Sequence, residues 1–115
     1  MARGSTGIQR SNMRKITEEA VAAFFSGRYY KKDNTMVVWW VDGTVHLILH
    51  GNTIATRNRD TGTLRITTAG WDTTTTKERL NGLPGVSVHH SKKQLYLNGK
   101  EWDGEWVTIE DWGEE

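Results

Sequence analysis

The sequence predicts a small α+β domain, and three observations lead to this class. Four segments between Thr35 and Thr68 have the composition and alternation of β-strands and are separated by turn-forming residues. Two further segments carry the capping residues and apolar spacing of short helices. The length of 115 residues suits one domain, and a chain of this size can bury a core without disulfides, which fits its lack of cysteine.

The strands and their turns predict a register. The first three strands are predicted at Thr35–Val41, Thr44–His50 and Thr53–Arg59, with two-residue turns at Asp42-Gly43 and Gly51-Asn52. Turns of this type fix which residues lie opposite each other. They place Trp39 opposite His46, and His46 opposite Arg57.

The third connection decides which way the arginines face. A three-residue loop ending at Gly62 keeps Arg65 off the apolar face, whereas a two-residue turn would bury it. The predicted apolar face then holds Val38, Trp40, Val45, Leu47, Leu49, Ile54, Leu64 and Ile66. The predicted opposite face is basic and partly aromatic, and holds Trp39, His46, His50, Arg57, Arg59 and Arg65.

The two helices are predicted at Thr17–Ser26 and Thr76–Asn81. Thr17 is a good N-cap for the first, and Thr75 with Glu78 has capping-box spacing for the second. Later strands are predicted at Val86–His90, Gln94–Leu97 and Glu105–Ile109. The whole predicts an antiparallel β-meander sheet of about six to seven strands with two helices packed on one face.

The charges divide the chain into three parts. Residues 1–15 are basic and poor in apolar side chains, which predicts a flexible segment. Residues 16–110 form the predicted single domain, and residues 111–115 form an acidic tail. No apolar run approaches the ~20 residues of a membrane span, so no membrane partner is expected. The net charge of +1 selects no partner by itself.

The basic face is the first candidate site. Arginines neutralise phosphates and stack on bases, and a tryptophan offers a stacking platform, so the face predicts binding to nucleic acid. The same pattern also suits the solvent-facing side of any antiparallel sheet.

The threonine run before the second helix is the second candidate. Free N–H groups and hydroxyls at Thr74 and Thr75, with the charge of Lys77, could seat an anion. Ordinary helix capping explains the same residues.

Neither catalysis nor metal binding has a signature in this sequence. His46 and His50 lie about 13 Å apart on one strand face, too far to share a metal unaided. No nucleophile motif accompanies any histidine, and no glycine-rich phosphate loop is present. The sequence therefore predicts a protein that is not an enzyme and needs no cofactor or metal.

The acidic and aromatic end is the remaining candidate. Trp102, Trp106 and Trp112 are interleaved with acidic residues, a pattern that suits a patch for a basic protein partner. The alternative is that the first two rings cover the core while the acids stay in water.

Three stretches resemble small uncharacterised proteins of tailed bacteriophages. These are ITEEAVAAFFSGR (Ile16–Arg28), ITTAGWDTTTTKERLNGLPGV (Ile66–Val86) and LYLNGKEWDGEW (Leu95–Trp106). The resemblance implies the cytoplasm of an infected bacterium as the setting, and it transfers no site residue. Together the observations predict an accessory binding protein for nucleic acid, with a host protein as the alternative partner.

Overall fold

The computed structural model describes residues 5–112, and their side chains from residue 14 onward. Within that range lie two α-helices, α1 (Ser5–Ser26) and α2 (Thr74–Asn81), and one 3-10 turn (Ile109–Asp111). The strands are β1 (Tyr30–Lys32), β2 (Thr35–Trp39), β3 (Thr44–Leu49), β4 (Asn52–Asn58), β5 (Leu64–Ile66), β6 (Val88–Ser91), β7 (Gln94–Leu97), β8 (Lys100–Glu101) and β9 (Val107–Thr108). The predicted α+β class is confirmed.

The strands form two antiparallel sheets. The larger has six strands in the order β1-β2-β3-β4-β5-β9, and the smaller has the order β6-β7-β8. Strand β1 was not predicted, and β9 extends the edge of the larger sheet without covering either face. The chain therefore runs as a meander through β5, leaves for α2 and the small sheet, and returns at β9.

Helix α1 begins well before the predicted start at Thr17. Thr17 lies inside the helix and is buried, and its Oγ1 accepts a hydrogen bond from Arg79 Nη1 at 2.9 Å. The N-cap prediction was wrong because the helix already begins at Ser5, and the Thr17 hydroxyl binds Arg79 of α2 and does not cap α1. Of the segment predicted to be flexible, residues 1–4 lie outside the described residues and the rest belongs to α1.

Helix α2 is capped by Thr73, not by Thr75. Thr73 Oγ1 accepts from Thr76 N at 3.2 Å, and Thr73 has an extended backbone. The helix ends at Asn81 as predicted. Gly82 follows with a φ of −78°, so its role is not a left-handed cap. A Cβ at this position would collide with the Thr17 side chain, so the glycine lets α1 and α2 approach closely.

The helices cover one face of the large sheet. The hydrophobic core between them contains fully buried side chains of α1, of α2 and of the central strands: Ala20, Ala23, Phe24, Leu80, Val37, Val45, Leu47 and Ile66. The small sheet contributes Val88, Leu95 and Leu97 to the same core. The second face of the large sheet is left half-exposed.

The first hairpin loop is one residue longer than predicted. Trp40 N donates to Thr44 O at 2.9 Å, and Gly43 takes a left-handed φ of 89° as the last residue of a three-residue loop. His46 therefore does not pair with Trp39. The pairing of β2 with β3 is shifted by one residue relative to the predicted register.

The third hairpin loop differs in the same way. Asn58 N donates to Thr63 O at 3.0 Å, so this loop has four residues. Arg57 lies opposite Leu64, and Arg65 lies opposite Thr56. A β-bulge at the start of β4 adds a further shift. Because side chains alternate along a strand, each slip of one residue moves a whole strand's side chains to the other face.

Two faces of the large sheet follow from this register. The helix face carries Thr35, Val37, Trp39, Val45, Leu47, Arg57, Leu64 and Ile66. The outer face carries Met36, Val38, Trp40, His46, Ile48, Thr56 and Arg65. The predicted apolar face was thus correct for β3 and β5 but wrong for Val38 and Trp40.

Tyr30 links β1 to α1 and makes the stability of the fold decrease at alkaline pH. Its hydroxyl donates to Glu19 Oε1 at 2.9 Å. Burial, and then the hydrogen bond to Glu19 and its charge, raise the pKa of Tyr30 from 10.0 to about 12. Because the folded pKa lies above the unfolded one, the neutral phenol stabilises the fold fully below pH 10, and this contribution is lost as pH rises toward 12.

We expect Tyr30→Phe to flatten the alkaline loss of thermal stability. The variant lacks the ionising group, so its Tm should fall less than that of the wild type between about pH 9 and about pH 11.5. Tyr29→Phe is the matched control, because Tyr29 is exposed and adjacent in sequence. Parallel loss of Tm in the Tyr30 variant and the wild type would contradict the assignment.

Candidate functional site

The structure divides the predicted arginine face between the two sides of the sheet. Arg57 lies on the helix face, where its Nε and Nη2 donate to Phe24 O at 3.2 and 2.7 Å. This carbonyl belongs to the last turn of α1, where carbonyl groups have no donor within the helix. Arg57 therefore supplies the missing donor, and its positive charge complements the negative end of the helix dipole. Burial, with a smaller effect of Arg59, lowers the pKa of Arg57. Arg57 is therefore part of the packing between helix and sheet.

Arg59 and Trp39 lie together beside the end of α1. The Arg59 guanidinium sits 5.4 Å from the centre of the Trp39 ring, and it also approaches Gly27. Arg65 lies on the outer face, 5.1 Å from the ring of Trp106. The prediction of one shared arginine face was wrong because of the two register slips.

His50 belongs to neither face. It occupies the turn between β3 and β4 with a left-handed φ of 52°, and its Nε2 lies 3.3 Å from Asn34 Nδ2. The predicted site residues His46 and Arg65 remain on one face, while Trp39, Arg57 and Arg59 lie on the other and His50 lies in a turn.

The outer face has its own aromatic and basic character. The rings of Trp40 and His46 lie 5.3 Å apart, and Trp40 is 55% exposed. Burial lowers the pKa of His46, an effect partly opposed by the charge of Asp42. His46, Thr56 and Arg65 lie side by side on adjacent strands of this face, because Thr56 pairs with both of the others. Among the described strand residues of this face, Arg65 is charged and none is an aspartate or glutamate, while Asp42 in the loop between β2 and β3 acts on His46 through its charge.

The threonine run leads into a hydrogen-bonded chain that the sequence did not reveal. Thr74 and Thr75 open α2, and Lys77 follows on its first turns. Lys77 Nζ lies 2.7 Å from His90 Nδ1, and His90 Nε2 lies 2.9 Å from Asp72 Oδ2. Lys77 therefore faces β6 and the small sheet. Only tertiary contacts bring Asp72 and His90 together, so no sequence spacing marks the pair.

The three tryptophans near the C-terminal end share one groove of about 540 Å³. Its wall and floor are formed by Gln94, Glu101, Trp102, Asp103, Glu105, Trp106, Val107 and Trp112. We call it the acidic aromatic groove. The sequence predicted that these rings and acids lie near one another, and the structure places both kinds of side chain along the same surface.

Backbone contacts fix the rings of this groove. Trp102 is 3% exposed and its Nε1 donates to Glu105 O at 3.0 Å. Trp112 Nε1 donates to Leu97 O at 2.8 Å, and its ring meets that of Trp102 edge-on at 6.5 Å. Trp106 is 38% exposed. The groove thus has a rigid floor at Trp102 and an accessible ring at Trp106.

The turn that carries the acids is also anchored. Gly104 has a left-handed φ of 84°, and its carbonyl accepts hydrogen bonds from Thr67 Oγ1 at 2.7 Å and Thr68 N at 2.9 Å. Glu105 N donates to Asp103 Oδ1 at 3.0 Å. Hydrogen bonds therefore fix the backbone of this turn, while the side chains of Asp103 and Glu105 remain exposed.

The groove is lined by both acidic and aromatic side chains. Three carboxylates line it, and no lysine or arginine does so among the described residues. Two cations of the chain already contact its rings from outside: Lys100 Nζ lies 5.0 Å from the Trp112 ring, and Arg65 lies over Trp106. Aromatic faces and carboxylates both favour positive charge, so the site suits an ammonium or guanidinium group.

Residues 5–112 contain no group of three or more histidine, aspartate or glutamate side chains placed to hold a metal ion. No helix in that range combines the length and the apolar character that crossing a bilayer requires.

Comparison with known proteins places the chain in a family. No curated protein and no solved structure matches it significantly. Its sequence does match the model of the Kyanoviridae Gp96 protein over residues 13–113, which covers the sheets, α2 and the acidic aromatic groove. The chain belongs to the Kyanoviridae Gp96 family of tailed cyanophage proteins.

Proposed function

We propose that this phage protein is a non-enzymatic binding protein that takes a basic segment of a host protein into the acidic aromatic groove. One observation carries the proposal: Glu101, Asp103 and Glu105 line the same groove as three tryptophan rings. The host-cell cytoplasm is the proposed setting, since it is where a phage protein meets host partners.

The physical chemistry of the groove favours a basic peptide over an apolar one. A lysine or arginine side chain carries a long apolar stem and a charged end. The stem can pack on the accessible ring of Trp106 while the charged end pairs with the carboxylates on the turn. Tryptophan and arginine are also the residue types that contribute most to protein interfaces.

Neutralising the three groove acids tests this proposal. We expect Glu101→Gln/Asp103→Asn/Glu105→Gln to weaken binding of a fluorescein-labelled Lys/Arg peptide at least about tenfold, measured by anisotropy at moderate salt. The matched control Glu18→Gln/Asp33→Asn/Asp60→Asn removes equal charge at exposed positions outside the groove. Equal weakening in both variants would show general attraction to charge and would contradict the groove assignment.

Single-stranded nucleic acid on the outer face is the second candidate. It is favoured by the exposed ring of Trp40, which lies beside His46, and by Arg65 on the same face. Such platforms stack bases and neutralise phosphates. Arg57 does not belong to this version of the site, because it is bonded to α1.

Anisotropy with labelled single-stranded DNA and RNA at low and moderate salt separates the candidates. Outer-face binding predicts a steep salt dependence and loss of affinity in Trp40→Ala and Arg65→Gln. Arg59→Gln is the control, since Arg59 lies on the helix face. Absence of binding at low salt would exclude the outer-face site.

A further inference from the structure

We propose that a second site, a cleft of about 420 Å³ between the β3–β4 turn and the start of α2, binds the base of a nucleoside. The residues that carry this inference are Leu49, His50, Asn52, Ile54, Trp71 and Thr75. The cleft is separate from the acidic aromatic groove and shares no lining residue with it. Its volume falls within the range of small-molecule sites, about 300–1,000 Å³.

An aromatic ring and an apolar floor lie within this cleft. Trp71 is 60% exposed, a high value for the largest side chain. It is presented by a tight turn in which Trp71 N donates to Thr68 O at 2.9 Å and Ala69 takes a left-handed φ of 56°. Leu49 and Ile54 are almost fully buried beneath. Enzymes that read single bases hold the planar ring between aromatic and apolar side chains in this manner.

Polar groups with free hydrogen-bonding capacity line the same cleft. The Thr75 hydroxyl makes no hydrogen bond to any residue that the structure describes. Asn52 uses its Nδ2 for a long contact to His50 O at 3.4 Å, and this leaves Oδ1 as an acceptor. His50 uses only Nε2, toward Asn34. An amide and a hydroxyl match the alternating donors and acceptors of a base edge.

The lack of charged side chains in the cleft favours an uncharged base over a phosphate group. Among the residues whose side chains the structure describes, no lysine, arginine, aspartate or glutamate lines it. A phosphate here would lack a cation, whereas an uncharged base would exchange water for a ring face and hydrogen bonds. The base could come from a free nucleoside or from a single strand, and the two sources are separable by experiment.

Isothermal titration calorimetry of the full chain tests the site with adenosine, guanosine, cytidine and uridine, with their 5′-monophosphates, and with short homo-oligonucleotides. We expect saturable binding of at least one nucleoside or oligonucleotide. Trp71→Ala should lower its affinity about tenfold or more, since stacking on one aromatic ring contributes an effect of that order. Thr75→Val should lower it severalfold while keeping side-chain shape.

Trp39→Ala is the matched control, because Trp39 is similarly exposed but lies on the helix face beside Arg59, outside both proposed nucleic-acid sites. Binding of nucleosides assigns the free ligand, and Trp71-dependent binding of oligonucleotides alone assigns a base within a strand. No binding by any probe, or equal affinity in Trp71→Ala and wild type, would overturn the proposal. The groove variant Glu101→Gln/Asp103→Asn/Glu105→Gln should bind these probes as the wild type does. The proposal for the cleft and the proposal for the groove are therefore tested independently.

Discussion

Arg79→Ala should lower the free energy of unfolding by about 3 kcal/mol or more. Arg79 lies on α2 and is only 3% exposed. Its Nε donates to Thr35 Oγ1 at 2.9 Å and its Nη1 to Thr17 Oγ1 at 2.9 Å, so one side chain ties α2 to both β2 and α1. Its removal leaves two buried hydroxyls without their donor and opens space in the core.

The guanidinium is held by hydroxyl and amide oxygens. Burial lowers the pKa of Arg79, while the charges of Glu78, Tyr30 and Asp33 act in the opposite direction. Hydrogen bonds to a charged group are worth more than neutral ones, about 1.5–3 kcal/mol each. Arg79→Lys should also destabilise, since an ammonium cannot reproduce the planar fork of donors.

Urea denaturation of Arg79→Ala, with Arg28→Ala as the exposed control, measures the effect. The triple variant Arg79→Met/Thr17→Val/Thr35→Val replaces the network with apolar groups, and we expect it to recover part of the loss. A midpoint for Arg79→Ala within error of the wild type would show that the network contributes nothing to stability.

Arg79 also shows where sequence reasoning reaches its limit. The segment TTTTKERL is polar, and an arginine between glutamate and leucine has the pattern of a solvent-facing residue. Its burial depends on hydroxyls from α1 and β2, far away in sequence. The α+β class, the strands of the meander and the end of α2 could be predicted because local turn residues and alternation determine them.

The face of each strand could not be predicted as securely. The run from Met36 to Val41 is apolar throughout, so alternation gives no phase for β2. Only loop length sets the register there, and one extra residue moved Trp39 to the helix face and Trp40 to the outer face. The predicted arginine face depended on the lengths of two hairpin loops, and both loops were one residue longer than predicted.

The acidic aromatic groove was the more predictable site for the opposite reason. Its rings and carboxylates lie close together in sequence, so their proximity did not depend on any strand register. The cleft at Trp71 unites residues from β3, β4 and α2, and nothing local marks it. The sequence thus indicates sites built from one segment and conceals those that topology assembles.

Trp102→Ala should destabilise the fold by about 3–5 kcal/mol, the range for truncating a buried tryptophan. Trp102 belongs to the hydrophobic core, and its ring contacts Trp112. It also bonds through Nε1 to Glu105 O, on the turn that carries the groove acids. Trp102→Phe keeps most of the ring but not the donor, so its loss should be smaller.

Trp106→Ala separates the stability of the groove from its binding. Trp106 is partly exposed and lies outside the main core, so its truncation should change the free energy of unfolding by less than about 1 kcal/mol. If the groove binds a basic segment, the same change should weaken the labelled Lys/Arg peptide severalfold. A Trp102→Ala variant that unfolds like the wild type would show that burial of this ring contributes nothing to the stability of the fold. A Trp106→Ala variant that binds the peptide normally would show that the accessible ring takes no part. Because one ring is buried and the other exposed, the pair distinguishes a groove that is only a by-product of core packing from one that binds.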